Sequence, residues 1–168
     1  MSSLPTANRK VVLGLGNLLN RDEGLGVEAL KLLETQLKDH PGVELLDGGV
    51  LGLNLLMIVE ECSHLLLLDA VNGGKPAGTI IELEKEDIPL YSGIKLSQHQ
   101  ITFQEVLGLA NVRGYLPENI YLIGVQPEDL SIGLEMSEPV LRSLPIVADK
   151  AVDKLVKWGL ISSEGEST

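Results

Sequence analysis

Three carboxylates and one histidine in this sequence have the residue types and positions that could hold a divalent metal ion. Glu23 follows the first apolar segment, Asp47 the second and Asp69 the third, and His99 lies on a long loop further along the chain. Carboxylate oxygens together with an imidazole nitrogen suit a divalent transition metal. A carboxylate at such a site could also orient or deprotonate water.

Each of these residues also has a structural interpretation. Asp22 and Glu23 suit the N-cap and first turn of a helix, where an acid interacts favourably with the helix dipole. Asp47 precedes two glycines and could belong to a simple turn, and His99 could be an ordinary loop histidine. Asp69 is harder to explain in this way, because it terminates a run of four leucines. A carboxylate there loses its hydration unless something pairs with it, so a functional role is favoured.

The elements that would position these residues alternate along the chain. Short apolar runs predict buried strands, and segments of helical spacing lie between them. This alternation predicts an α/β fold, a three-layer α/β/α sandwich with a mainly parallel, twisted sheet of about five strands, of the phosphorylase/hydrolase-like kind. In such sheets ligands bind beyond the carboxyl ends of the strands, where the acids would meet. The predicted strands are 10–15, 43–46, 65–68, 79–83 and 120–125, and the predicted helices are 24–37, 53–59, 101–110 and one from near Ser137 to before Gly159, kinked or divided at Pro145.

Composition narrows the class of protein. The 168 residues predict a single domain, 1–168, with flexible ends at 1–8 and 162–168. Hydrophobic residues make up 44% of the chain but aromatic residues only 3%, so the core is expected to be aliphatic. The formal net charge of -11 argues against nucleic acid and anionic membranes as partners. No apolar run approaches the roughly 18 residues of a membrane span, and a cytoplasmic location is expected.

Cys62 is the only cysteine in the chain, which excludes an intramolecular disulfide and a cage of thiolate ligands. We expect it to be a small buried packing residue, with thiol chemistry beside His64 as the alternative.

A dinucleotide-binding module is one alternative function. Gly14-Leu15-Gly16 follows a predicted strand and precedes a helix, as in the dinucleotide fingerprint, and Asp47 stands where a ribose-binding acid would. However, Leu19 occupies the position of the third glycine. Asp22-Glu23 also places two negative charges where a pyrophosphate needs positive potential. A cation fits this position better than a phosphate.

Taken together, the motifs resemble the nickel-iron hydrogenase maturation protease family, also called hydrogenase maturation endopeptidases. The resemblance covers nearly the whole chain, and its most specific part is the glycine-asparagine and Asp-Glu-Gly block. Where family members often carry proline before the histidine, this chain has Gln98. The motifs are Gly14-Leu15-Gly16-Asn17, Asp22-Glu23-Gly24-Leu25-Gly26, Leu46-Asp47-Gly48-Gly49, Leu68-Asp69-Ala70 and Ser97-Gln98-His99-Gln100.

The resemblance implies an aspartic-type endopeptidase that removes the C-terminal extension of a hydrogenase large-subunit precursor after nickel insertion. Glu23, Asp69 and His99 match the positions that bind a metal ion, understood as nickel held in the substrate rather than a resident cofactor. Asp47 matches a carboxylate that the family needs for activity. Glu23, Asp47 and Asp69 are therefore the expected catalytic residues.

The precursor is the expected partner, and a monomer is the expected state. We expect the precursor to dock around the carboxyl ends of the strands and the flanking loops 71–78 and 89–100. A metal-sensing chaperone that binds the precursor without cutting it is the second alternative function.

Overall fold

The predicted α/β sandwich is confirmed by a computed structural model that describes residues 7–50, 54–89 and 103–162. Within these ranges, five strands form one sheet in the order β2-β1-β3-β5-β4. The strands are β1 (Arg9–Gly14), β2 (Glu44–Asp47), β3 (Cys62–Ala70), β4 (Ile80–Glu84) and β5 (Asn119–Val125). The helices are α1 (Leu25–Gln36), α2 (Asn54–Glu61), α3 (Phe103–Arg113) and α4 (Glu138–Lys157).

The inner strands of the sheet, β1, β3 and β5, are largely buried on both faces, as expected for parallel strands. Successive leucines of β3 point alternately to its two sides: Leu66 and Leu68 pack with α1 and α4, whereas Leu65 and Leu67 pack with α2 and α3. Every buried hydrophobic residue of the described ranges is aliphatic or cysteine, so the expected aliphatic core is found there. Cys62 is one of these residues, and burial raises the pKa of its thiol to about 12, which suits a packing role.

The two differences from the predicted elements that matter most concern β3 and α4. β3 begins at Cys62 and continues through Asp69 to Ala70, so Asp69 lies within the strand instead of after it. α4 runs unbroken from Glu138 to Lys157, so the predicted division at Pro145 is wrong. Pro145 is on the exposed face of the helix, where water can bind the carbonyl that the proline leaves unpaired.

Pairing directions explain how the carboxyl ends come together. Of the described strands, β2, β1, β3 and β5 run parallel, and only the edge strand β4 is antiparallel to its neighbour.

No helix in the described ranges is long and apolar enough to cross a bilayer. The predicted ends at 1–8 and 162–168 lie almost wholly outside the described residues, and the single-domain organisation stays a prediction.

Candidate functional site

Two of the predicted acids lie at the carboxyl ends of the strands on either side of β1: Asp47 is the last residue of β2, and Asp69 is the last but one of β3. Gly14, the last residue of β1, is aligned with Asp47 of β2 on one side and with Leu68 of β3 on the other. Asp69 follows Leu68 directly. Because neighbouring strands lie roughly 4.8 Å apart, the backbones of Asp47 and Asp69 are separated by on the order of 10 Å. The two carboxylates therefore lie at the same edge of the sheet, with β1 between their strands.

Close packing of backbone brings Glu23 to the same edge. Glu23 belongs to a short 3-10 helix, Arg21–Gly24, that leads into α1. A side chain at Gly26 would collide with the Leu68 carbonyl oxygen, and one at Gly16, whose φ is +109°, would collide with the Glu23 carbonyl oxygen. Only glycine tolerates such contacts and this φ. These glycines thus serve close packing, which replaces the phosphate-binding role considered for the Gly14-Leu15-Gly16 segment.

Glu23 and Asp69 form an electrostatically unfavourable pair. Burial raises the pKa of Asp69 to about 7; the Ala70 N–H, 2.8 Å from Oδ1, opposes this change, and the negative charge of Glu23 adds to it. Burial also raises the pKa of Glu23. Within the part of the chain that the structure describes, no lysine or arginine contributes to either shift. Two partly buried acids without a cation are a candidate site for a positively charged ligand.

Asp22 behaves in the opposite way, although it is adjacent to Glu23. Its side chain is fully buried, and its carboxylate accepts hydrogen bonds from the N–H groups of Glu128, Asp129 and Ser137 and from the Ser137 hydroxyl, at 2.7–2.9 Å. Burial alone would raise its pKa, but these bonds hold the pKa below its ordinary value. The predicted N-cap role is wrong, since no side chain caps the 3-10 helix or α1. Asp22 instead anchors a distant loop.

Asp47 makes the turn contact that its sequence context indicated. Its Oδ1 accepts a hydrogen bond from the Gly49 N–H at 2.8 Å, and the side chain is partly exposed. Its role in activity stays a prediction. His99 lies outside the described residues, and the described ranges hold no group of three or more His, Cys, Asp or Glu side chains able to bind a metal ion. The structure thus brings Glu23 and Asp69 together, and a shared site with His99 stays a prediction.

Gln126 is a buried polar residue that the sequence reasoning missed. Its Oε1 accepts hydrogen bonds from the N–H groups of Gly73 and Lys75, and its Nε2 donates to Asn72 Oδ1 at 3.1 Å. It therefore fixes the loop that follows Asp69. A signal was present in the sequence, because Gln126 is the polar residue that directly follows the apolar strand β5, just as Asp69 is the polar residue that follows the four leucines of β3.

The raised pKa of Asp69 predicts a pH-dependent stability. Because its folded pKa is about 7 against an ordinary 3.8, this group stabilises the fold fully below pH 3.8 and loses that contribution as pH rises through 7. Asp69→Asn should therefore match the wild type near pH 4 and be more stable at pH 8, by roughly 2 kcal/mol after discounting for partial exposure. Urea unfolding of the metal-free protein at pH 4, 6 and 8 measures the difference.

Asp129→Asn is the matched control. The Ser131 hydroxyl and N–H donate to Asp129, which holds its pKa below the ordinary value, so removing this acid should cost stability at pH 8 instead of adding it. A pH-independent difference for Asp69→Asn would contradict the predicted burial of its charge.

The fold and the acidic pair define an α/β protein with a candidate site at the carboxyl ends of a mainly parallel sheet, and comparison with known proteins identifies its family. Residues 27–154 match the hydrogenase maturation protease family. The chain is 40% identical to the hydrogenase expression/formation protein HupD of Rhizobium leguminosarum bv. viciae over 158 residues, covering 93% of this chain and 78% of HupD. It is 38% identical to the hydrogenase 2 maturation protease of Escherichia coli K12 over 144 residues, covering 81% and 88%.

Solved structures agree with the sequence comparison. The hydrogenase maturating endopeptidase HybD of E. coli superposes with a TM-score of 0.77 at 30% identity, covering 90% of this chain and 94% of HybD. The chain belongs to the hydrogenase maturation protease family. Its function is that of a hydrogenase maturation endopeptidase.

Proposed function

We propose that this endopeptidase recognises nickel already inserted in a nickel-iron hydrogenase large-subunit precursor and then removes the C-terminal extension of that precursor. The observation that carries the proposal is the pairing of Glu23 with Asp69 at the strand ends, where burial raises the pKa of both acids. A divalent cation delivered by the substrate would satisfy this pair. Nickel is then cargo of the substrate, not a resident cofactor.

The proposed roles divide between metal contact and water activation. Glu23 and Asp69, together with His99 from outside the described residues, would contact the substrate's nickel and thereby position the neighbouring peptide bond. Asp47 would orient or deprotonate the attacking water, since one oxygen is held by Gly49 while its side chain remains partly exposed. This use of carboxylates is the basis for an aspartic-type assignment.

The acidic pair also accounts for selectivity toward a loaded precursor. Without nickel, closing a peptide over Glu23 and Asp69 would further desolvate two acids that already repel each other. When nickel is present, the two carboxylates lose water in the same way but gain contact with the cation in its place. The enzyme would therefore engage a precursor productively only after its metal centre is assembled.

Mixing the purified protein with nickel-loaded and with nickel-free precursor tests the proposal. We expect the nickel-loaded precursor to lose the mass of one C-terminal peptide, and the nickel-free precursor to keep its full mass, as measured by intact-protein mass spectrometry. Trimming of both forms at equal rates would contradict nickel recognition.

The same experiment separates the protease from a metal-sensing chaperone. A chaperone would form a complex with the nickel-loaded precursor, visible in size-exclusion chromatography, without any change in precursor mass. Light scattering on the protein alone tests the proposed monomeric state.

A further inference from the structure

An exposed group of apolar side chains lies on the segment between β5 and α4, which is hydrogen-bonded to the short helix that carries Glu23. This segment, residues 127–137, is called the 127–137 loop. Ile132 is 85% exposed, Leu134 78% and Leu130 47%, and Leu19, on the segment before Glu23, is 60% exposed. Single exposed apolar residues are ordinary, but several on neighbouring backbone mark an interaction surface. These four side chains are called the leucine-isoleucine patch.

Backbone bonds join the two segments of the patch. The Gly133 N–H donates to the Leu19 carbonyl at 2.9 Å, the Arg21 N–H donates to the Gly133 carbonyl at 3.0 Å, and Asn20 pairs with Gly133 as an isolated parallel bridge. The Asn20 side chain donates to the Leu130 carbonyl at 3.1 Å. Leu19 therefore lies next to the apolar residues of the loop, although more than a hundred residues separate them in sequence.

The patch is fixed to the element that carries Glu23. Asp22 binds three N–H groups of the 127–137 loop through its carboxylate, and its own N–H donates to the Asp129 carbonyl at 3.0 Å. The Arg21 side chain lies against Gly133, where an added Cβ would come within 2.7 Å of Nε. A surface held in this way is preorganised, so a partner bound to it would not have to order the loop.

The charges around the patch indicate what kind of surface it fits. Residues 127–138 contain four acids, Glu128, Asp129, Glu135 and Glu138, and no lysine or arginine. Arg21 pairs with Asp129 and Arg142 pairs with Glu138, each at 3.6 Å, so Glu128 and Glu135 supply the excess negative charge. Glu128, Glu135 and Glu138 are exposed. An apolar centre with an acidic rim complements an apolar partner surface surrounded by basic residues. A second copy of this chain fits poorly, because it would bring the same acidic rim and a net charge of -11 against this one.

We infer that the leucine-isoleucine patch is a docking surface for the hydrogenase large-subunit precursor. The part of the folded precursor that contacts the patch is apolar at its centre and basic at its rim. This inference rests on the proposed function, since it is the precursor's metal that must reach Glu23. Docking here would place that metal centre beside Glu23, because the 3-10 helix and the 127–137 loop are bonded together.

The kinetics of trimming test the inference. For the double variant Ile132→Ser/Leu134→Ser we expect the KM for nickel-loaded precursor to rise about tenfold or more, as for loss of interface anchors, with kcat changed less than about twofold. Val112→Ser is the matched control, because Val112 is 84% exposed on α3, a helix of the other layer, and its KM should equal that of the wild type. An unchanged KM for the double variant would overturn the inference.

A charge-reversal variant gives an independent measurement. Glu128→Lys/Glu135→Lys should lower kcat/KM severalfold at low salt, and the difference from the wild type should shrink as salt screens the rim. Equal kcat/KM at low salt would overturn the predicted basic partner surface. Thermal unfolding of every variant should match the wild type, since the replaced side chains are exposed.

Direct binding separates this inference from the proposed function. If the wild type cuts no precursor, the proposed function fails, but biolayer interferometry with nickel-loaded precursor still tests docking. The wild type should bind the precursor, and the Ile132→Ser/Leu134→Ser variant should bind it about tenfold more weakly. Equal binding overturns the inference. The wild type could also form a dimer that the double variant does not form, while both bind the precursor equally. That result would assign the patch to self-association and would also overturn the inference.

Discussion

Glu23→Gln and Asp69→Asn are each expected to slow trimming of nickel-loaded precursor by on the order of 100- to 1000-fold or more, the scale seen when a charge-stabilising group leaves an active site. Each substitution keeps the size of the side chain but removes the negative charge that would attract the metal. Asp69→Asn should also be at least as stable as the wild type at pH 8, so unfolding could not explain its loss of activity. Gel-shift analysis of precursor processing measures the rate.

Glu28→Gln is the matched control for both variants. Glu28 lies on α1 shortly after Glu23 and forms a surface ion pair with Lys31 at 3.0 Å, so its removal should leave the trimming rate unchanged. Wild-type processing by either Glu23→Gln or Asp69→Asn would refute the metal-contact roles. A loss that appears only as a higher KM would assign the residue to docking rather than to the reacting centre.

Asp22→Ala is expected to produce the largest loss of stability. The substitution leaves the N–H groups of Glu128, Asp129 and Ser137 without their acceptor in a partly buried place, together with a small cavity where the buried carboxylate was. The loss of several hydrogen bonds to one charged group predicts a loss of roughly 3–5 kcal/mol. For a domain of this size the thermal midpoint should fall by roughly 10 °C. Differential scanning calorimetry measures both quantities.

Asp39→Ala provides the comparison for Asp22. Asp39 is exposed at the end of the segment after α1, and its removal should leave the midpoint essentially unchanged. A midpoint for Asp22→Ala equal to that of Asp39→Ala would show that the 127–137 loop does not depend on the buried carboxylate. Because that loop also carries the leucine-isoleucine patch, Asp22→Ala should in addition weaken precursor binding.

Local sequence determined the elements and the acids at their ends. Apolar runs such as Leu65–Leu68 identify buried strands because a parallel strand covered on both faces has no polar position to spare. The four leucines that precede Asp69 were enough to predict that its carboxylate loses water on folding. In the structure, burial raises the pKa of Asp69, as that loss of water implies. Gly16 and Gly26 were recognisable as parts of a sequence motif, but their role in close backbone packing was not.

Only the tertiary structure decided the roles of residues whose partners are distant. Asp22 and Glu23 are adjacent acids that sequence reasoning treated as one pair, yet their pKa values shift in opposite directions. The difference arises because the 127–137 loop, more than a hundred residues away, donates hydrogen bonds to Asp22 and none to Glu23.

A residue's neighbours along the chain reveal whether it will be buried, because burial follows from the local pattern of apolar side chains. They do not reveal which donors will meet it, because that depends on how separate elements pack. For this protein the sequence alone determined the fold class, the family and the acids at the strand ends. The bonding of the 127–137 loop to the segment before α1 decided that Asp22 is committed to the structure, whereas Glu23 receives no hydrogen bond from that loop.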